Sequence, residues 1–251
     1  MTFSKWKTNK MTEENFDEVF QLDRFMVESE NFKNNKPFKF MFVENIFKPD
    51  FYQKLHDGYP DEENDMLQST QFSKNTLYRG WANLDDVTNN ENAESIEDPK
   101  LNQQWNKLYR YLSSDEFIRK LREFSGVPVN KLKSFRFGLM KKGGFQMPHT
   151  HNDGPSTLIL FFYFSKGWQK GDPGGTFLAS EEDESKMFFE PYNLDNTMSI
   201  LQDGPCSTHG VRYIVKDVSR KMLQIYYESY SEEEGWSGKG HEKPTEGKFE
   251  L

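Results

Sequence analysis

The 251 residues contain a single cysteine, Cys206, so no disulfide can form within the chain, which fits a reducing compartment. No run approaches the ~20 apolar residues that a membrane-spanning helix needs, and Met1–Lys10 lacks the apolar stretch of a secretory signal. A soluble, cytoplasmic protein is expected, with no membrane partner. Basic charge is also in deficit. With 32 Lys and Arg against 40 Asp and Glu, the net charge is −8. Broad nucleic-acid binding needs a basic face that displaces counterions, so no nucleic-acid partner is expected, although Lys131 to Arg136 is locally basic. Histidine is scarce too, at five residues, and three of them lie in one strand-rich region: His149, His151 and His209.

Aromatic residues are plentiful. The 23 phenylalanines gather in short apolar runs suited to buried sheet. Residues 1–36 read as a polar N-terminal arm with weak helical character at Thr12–Met26. Pro37–Phe47 alternates like a strand and Asp50–Asp57 reads as a short helix. Residues 61–99 are acidic and Asn-rich, a loop or closing lid with a short strand near Leu77–Trp81. Apolar residues at helical spacing over 99–124 predict supporting helices, with an N-cap at Ser113-Ser114-Asp115.

From residue 126 to 230 the pattern changes to short apolar segments between turn residues. They are Ser134–Met140, Phe145–His151, Thr157–Phe164, Thr176–Leu178, Thr197–Leu201, His209–Val215 and Arg220–Tyr227. Many short strands with turn signals predict a jelly-roll sandwich or barrel. Residues 37–230 are taken as one domain and 231–251 as a disordered tail, being charged and nearly free of aliphatics.

His151-Asn152-Asp153 is a His-x-Asp. In extended backbone, residues two apart project to one face, so the pair can hold one ion with His209 arriving from a distant strand. Two imidazoles and one carboxylate on one face of an octahedral ion leave three positions open, an arrangement suited to non-haem Fe(II). The motif alone is weak, because 40 of 251 residues are acidic and roughly one His in six has an acid two places on. Its surroundings add weight: Gly143-Gly144 before it, the apolar run Leu158–Phe164 after it, then Gly174-Gly175, His209 and Arg220. Arg220 opens an otherwise apolar strand, where an unpaired charge is costly. A dicarboxylate would pair with it through two parallel hydrogen bonds.

This order resembles the prolyl 4-hydroxylase-like branch of the 2-oxoglutarate/Fe(II) dioxygenases over residues 126–230, and Phe40–Pro60 resembles the strand and helix that precede that core. The resemblance implies a mainly β fold with N-terminal helices (α+β), built on a double-stranded β-helix, or jelly roll, of about eight strands. It implies His151, Asp153 and His209 as iron ligands and catalytic centre. Arg220 would bind the distal carboxylate of 2-oxoglutarate, with Tyr163 hydrogen-bonding the same group. Fe(II), 2-oxoglutarate and O2 would be the cofactors and co-substrates, with ascorbate as an accessory reductant. The reaction implied is hydroxylation of a C–H bond in a small molecule, amino acid or peptide, with release of succinate and CO2.

The local sequence departs from the branch in one way. Pro148-His149-Thr150 fits its motif, but His151 then stands where the acid is expected. If the register follows His149, the ligands are three histidines; if it follows His151, the carboxylate of Asp153 is retained. Two rivals stay open: a cupin-type three-histidine metalloprotein that does not use 2-oxoglutarate, and a non-catalytic jelly-roll binding module.

Overall fold

The apolar run Thr157–Phe164 forms strand β7, and all eight of its residues are buried. Side chains alternate across a strand, so such a run needs cover on both faces. The computed structural model, which describes residues 19–84, 97–151 and 156–229, supplies that cover. Leu158, Leu160, Phe162 and Phe164 join a core with the helices, while Ile159, Phe161 and Tyr163 join a second core with Leu178 and Val211 of the opposite sheet.

β7 lies in a seven-stranded antiparallel sheet with β1 (Phe40–Glu44), β2 (Leu67–Gln68), β4 (Leu77–Gly80), β5 (Lys131–Met140), β10 (Asp195–Gln202) and β12 (Arg220–Glu228). Its order is β1-β10-β7-β12-β5-β4-β2. Facing it is a five-stranded antiparallel sheet of β3 (Lys74–Asn75), β6 (Phe145–His149), β8 (Thr176–Ala179), β9 (Met187–Phe189) and β11 (His209–Val211), in the order β3-β6-β11-β8-β9. Mostly β, antiparallel and two-layered, this agrees with the jelly roll expected from the sequence.

Helices α1 (Leu22–Met26), α2 (Ser29–Asn34), α3 (Pro49–Asp57), α4 (Glu62–Asp65), α5 (Gln103–Leu112) and α6 (Asp115–Ser125), with short 3-10 turns at Trp81–Asn83 and Glu184–Lys186, complete the described elements. The outer face of the large sheet is sealed mainly by α3, α5 and α6. Asn102 caps α5 by accepting from Trp105 N, and Ser114 caps α6 by accepting from Phe117 N. Gly126 ends α6 at φ 65°, a left-handed position that favours glycine. Buried polar tips are tied to backbone: Trp105 Nε1 donates to Leu55 O at 3.1 Å and Tyr227 Oη to Leu112 O at 2.7 Å. No helix among the described residues is long and apolar enough to cross a membrane.

The structure corrects the sequence reading in three places. The polar arm is, over residues 19–36, packed into the protein: Val19, Phe20, Phe25 and Phe32 are buried, and Phe25 stacks on Phe124 with centroids 3.9 Å apart. Its apolar residues are few and split between two short helices, which blurs their periodicity. The segment read as loop holds α4, β2 and β3 besides β4, because two-residue strands leave no alternation to detect. β9 was not foreseen, and the strands expected at Phe145–His151 and His209–Val215 end at His149 and Val211. The tail, the first eighteen residues and Asp153 lie outside the described residues.

Candidate metal centre

β6 and β11 are neighbours in the smaller sheet, and their register sets His149 directly opposite His209. His151 follows β6 by two residues and turns back to the same place. The three imidazoles converge: ring centroids are 4.4 Å apart for His149–His209 and 5.0 Å for both other pairs. One potential ligand atom from each lies within 4.8 Å of the others. Gly210 permits the close approach at β11, since a Cβ there would meet Phe177 at 2.7 Å and Gln146 O at 2.8 Å.

Each ring is fixed by its Nδ1 edge. His149 Nδ1 is bonded to Met147 O at 2.9 Å, His209 Nδ1 to Ser207 O at 2.8 Å, and His151 Nδ1 to an Asp203 carboxylate oxygen at 2.7 Å. For His209 this leaves Nε2 as the atom for a ligated ion. His209 Nε2 is buried with no hydrogen-bond partner, and His149 Nε2 meets Gln146 Nε2 at 3.2 Å. A buried, unsatisfied imidazole nitrogen facing two further imidazoles is the environment a borderline transition-metal ion fits.

The electrostatics favour the neutral forms of His149 and His209. Burial lowers the His209 pKa to about 4, the charge of His149 adding to the fall against the opposing pull of Asp203. Burial likewise lowers His149. Burial pushes the Asp203 carboxyl up, but the hydrogen bond and charge of His151, with Ser207 Oγ donating at 2.8 Å, hold it below the usual range. Asp203 escaped the sequence reading because Asp203-Gly204-Pro205 has the composition of a plain turn. Glu182 was missed for a similar reason. It lies in an exposed acidic run, yet accepts from Thr150 N at 3.1 Å and Thr150 Oγ1 at 2.6 Å, pinning the residue between the two histidines.

Arg220 and Tyr163 lie together. The Arg220 guanidinium is 5.5 Å from the Tyr163 ring centroid, and both residues are fully or almost fully buried. Arg220 Nε donates to Gly174 O, and an Nη donates to Thr176 Oγ1 at 2.8 Å. Gly174 holds φ 134° under Trp168, where a Cβ would lie 2.5 Å from the indole, so glycine is needed to aim that carbonyl. No carboxylate among the described residues ion-pairs with Arg220. Glu228, on the same strand, pairs with Lys133 at 2.7 Å, and Glu190 pairs with Arg212. Burial pulls the guanidinium pKa below its ordinary value, but not enough to discharge a group this basic. The Tyr163 hydroxyl is buried with no well-formed hydrogen bond. A buried cation beside an unsatisfied hydroxyl suits an anionic ligand.

No family model matches the chain, and no curated protein matches it. Solved structures do. A Pseudomonas putida prolyl-4-hydroxylase superposes with TM-score 0.59 at 11% identity, over 82% of this chain and 100% of that one. A Trichoplax adhaerens prolyl hydroxylase, solved with a hypoxia-inducible-factor peptide, gives 0.58 at 12% identity over 83% and 92%. HygX from Streptomyces hygroscopicus, solved with nickel, 2-oxoglutarate and hygromycin B, gives 0.53 at 10% identity over 82% and 86%. At such identities the likeness is one of fold, and that fold resembles the prolyl hydroxylases and other 2-oxoglutarate/Fe(II) oxygenases.

Proposed function

We propose that this chain is an Fe(II)- and 2-oxoglutarate-dependent oxygenase, a hydroxylase of a small molecule, amino acid or peptidyl residue, built on a double-stranded β-helix. The observation that carries the reading is the convergence of three imidazoles on the fold shared with such oxygenases, with Arg220 and Tyr163 buried against each other. His149, His151 and His209 would hold the metal. The set favoured from the sequence, His151, Asp153 and His209, shares two of these ligands, and Asp153 lies outside the described residues.

Bound there, the iron and 2-oxoglutarate would supply oxidative chemistry in which O2, 2-oxoglutarate and a substrate C–H give succinate, CO2 and an alcohol. The protein's own part is to hold and orient. Asp203 and the carbonyls of Met147 and Ser207 keep each Nδ1 engaged, which fixes the orientation of all three rings. Arg220 would bind the distal carboxylate of 2-oxoglutarate with the Tyr163 hydroxyl as second donor, both already desolvated and in place. Phe161, whose ring lies 6.1 Å from His209, helps exclude water from the inner side of the centre.

The test is anaerobic addition of Fe(II) and 2-oxoglutarate, watching for the visible charge-transfer band of the bidentate complex. The band is expected in the wild type. It should be lost in His209→Ala and in His149→Ala but kept in Asp153→Ala. Loss in Asp153→Ala with retention in His149→Ala would restore the carboxylate-containing set. The gathering of three histidines also favours a second reading, a cupin-type centre that does not use 2-oxoglutarate. Iron binding with no band and no succinate under O2 would establish that reading and remove the first.

A further inference from the structure

Trp168 sits in the connection between β7 and β8. Ser165 ties the start of that connection to β12 beside Arg220, its hydroxyl accepting from Lys221 N at 2.7 Å and donating to Lys221 O at 3.2 Å. The indole is buried in the core that also holds Tyr163, Leu178 and Met222. It presses on Gly174: a Cβ there would lie 2.5 Å from Cζ2 and 3.2 Å from Cε2, the carbon bonded to Nε1. Gly174 is itself held from both sides, its N–H donating to a Glu190 carboxylate oxygen at 3.2 Å and its carbonyl accepting from Arg220 Nε. The indole edge that carries Nε1 is thus fixed against the residue that positions the guanidinium.

Trp168 Nε1 is buried and has no acceptor among the described residues. An indole N–H can only donate, and a donor kept from water without a partner is costly. The Tyr163 hydroxyl, in the same core, is a second such group. Arg220 meanwhile has part of its fork engaged, with Nε on Gly174 O and an Nη on Thr176 Oγ1 at 2.8 Å. With Nε taken, a carboxylate cannot pair side-on across Nε and Nη. A carboxylate drawn to Arg220 therefore keeps lone pairs free for other donors.

Resting on the function proposed above, we infer that Trp168 Nε1 is a further donor to the distal carboxylate of the 2-oxo acid, which Arg220, Tyr163 and Trp168 hold together. A 2-oxo acid ending in methyl would leave the indole and the phenol unsatisfied as well as the cation unpaired. The pocket therefore selects 2-oxo dicarboxylates over 2-oxo monocarboxylates by a wider margin than Arg220 alone would set, and Trp168 contributes to that margin.

The chain has five tryptophans, and in a proton–nitrogen correlation spectrum the Trp168 indole signal is identified by its proximity to the Gly174 protons and by its absence from Trp168→Phe. Protein loaded with Zn(II), a diamagnetic stand-in, is titrated with 2-oxoglutarate and with 2-oxobutyrate, which lacks the distal carboxylate. A saturable downfield shift of the Trp168 N–H proton is expected with 2-oxoglutarate and not with 2-oxobutyrate. Trp168→Phe keeps a ring against Gly174 and loses the donor. It should weaken 2-oxoglutarate binding about tenfold and leave 2-oxobutyrate binding unchanged, as read from the remaining signals. An indole signal unmoved with 2-oxoglutarate bound, or equal weakening of both acids in the variant, would overturn the inference, and the wild-type spectrum decides it even if the variant does not fold. Glutarate, which has the distal carboxylate but no chelating oxo group, separates the two proposals when added to metal-free protein. A Trp168 shift with glutarate while the charge-transfer band never forms removes the proposed function and leaves the indole's role as a carboxylate donor standing; a band without any Trp168 shift does the reverse.

Discussion

The buried carboxylate of Asp203 accepts a hydrogen bond from His151 Nδ1 at 2.7 Å, while its other oxygen accepts from Ser207 Oγ at 2.8 Å. A carboxylate behind a ligating imidazole fixes the tautomer and raises the basicity of the ring. Asp203→Asn is therefore expected to lower metal affinity about 10- to 100-fold with the fold intact, as measured by competition against a chelator. Unchanged affinity would mean that His151 is not a ligand.

Arg220 is expected to matter for its shape as well as its charge. Arg220→Lys keeps a cation but loses the planar fork, and 2-oxoglutarate affinity should fall by roughly one to two orders of magnitude. Tyr163→Phe removes one hydroxyl and should cost about tenfold or less. Anaerobic titration of the charge-transfer band reads both, and equal losses in the two variants would contradict this division of roles.

Metal-free protein should lose stability in mild acid. The His209 pKa in the folded state is about 4, driven down chiefly by burial. An unfolded histidine titrates near 6.5, so as pH falls the unfolded chain takes up this proton first. Stability is thus full above about pH 6.5 and declines toward pH 4, by on the order of 2 kcal/mol at pH 5. His149, shifted in the same direction, adds to the loss. Urea unfolding of metal-free wild type and His209→Gln at pH 7.5 and 5 checks this: the variant should show a clearly smaller decline, and matching declines would refute the assignment.

Away from the centre, Arg79 and Asp98 form an ion pair at 2.6 Å with both side chains about 1% exposed. Asp98 also accepts from Ala82 N at 2.9 Å and Lys100 N at 3.0 Å, tying the segment before α5 to the end of β4. Removing one partner leaves a buried charge alone. Asp98→Ala should destabilise the protein by roughly 3–5 kcal/mol, and Arg79→Met with Asp98→Ala by less than the sum of the two single changes. Additive losses in chemical denaturation would argue against direct coupling.

The parts legible in the sequence were those with period and length. β7 is a complete apolar strand and was found to the residue, and the cap at Ser114 marked the break between α5 and α6. Arg220 announced itself as a charge heading an apolar strand. The clustering of His149 with His151 and His209 was open but undecided, because side-chain alternation puts His149, His151 and Asp153 on one face of any extended segment. What brings His149 beside His209 is the register of β6 against β11, a long-range pairing that local pattern does not carry. Asp203 was hidden because its partner is 52 residues away.

The pairing of His149 with His209 has a consequence for assembly. Two members of the cluster are cross-strand neighbours, so their separation is set by the spacing between hydrogen-bonded backbones. A slip of one residue between β6 and β11 would turn every side chain of one strand to the opposite face and scatter the cluster. Metal uptake would then be a proofreading step: only chains that have closed the small sheet in the native register can retain the ion, and retention in turn locks that register in place.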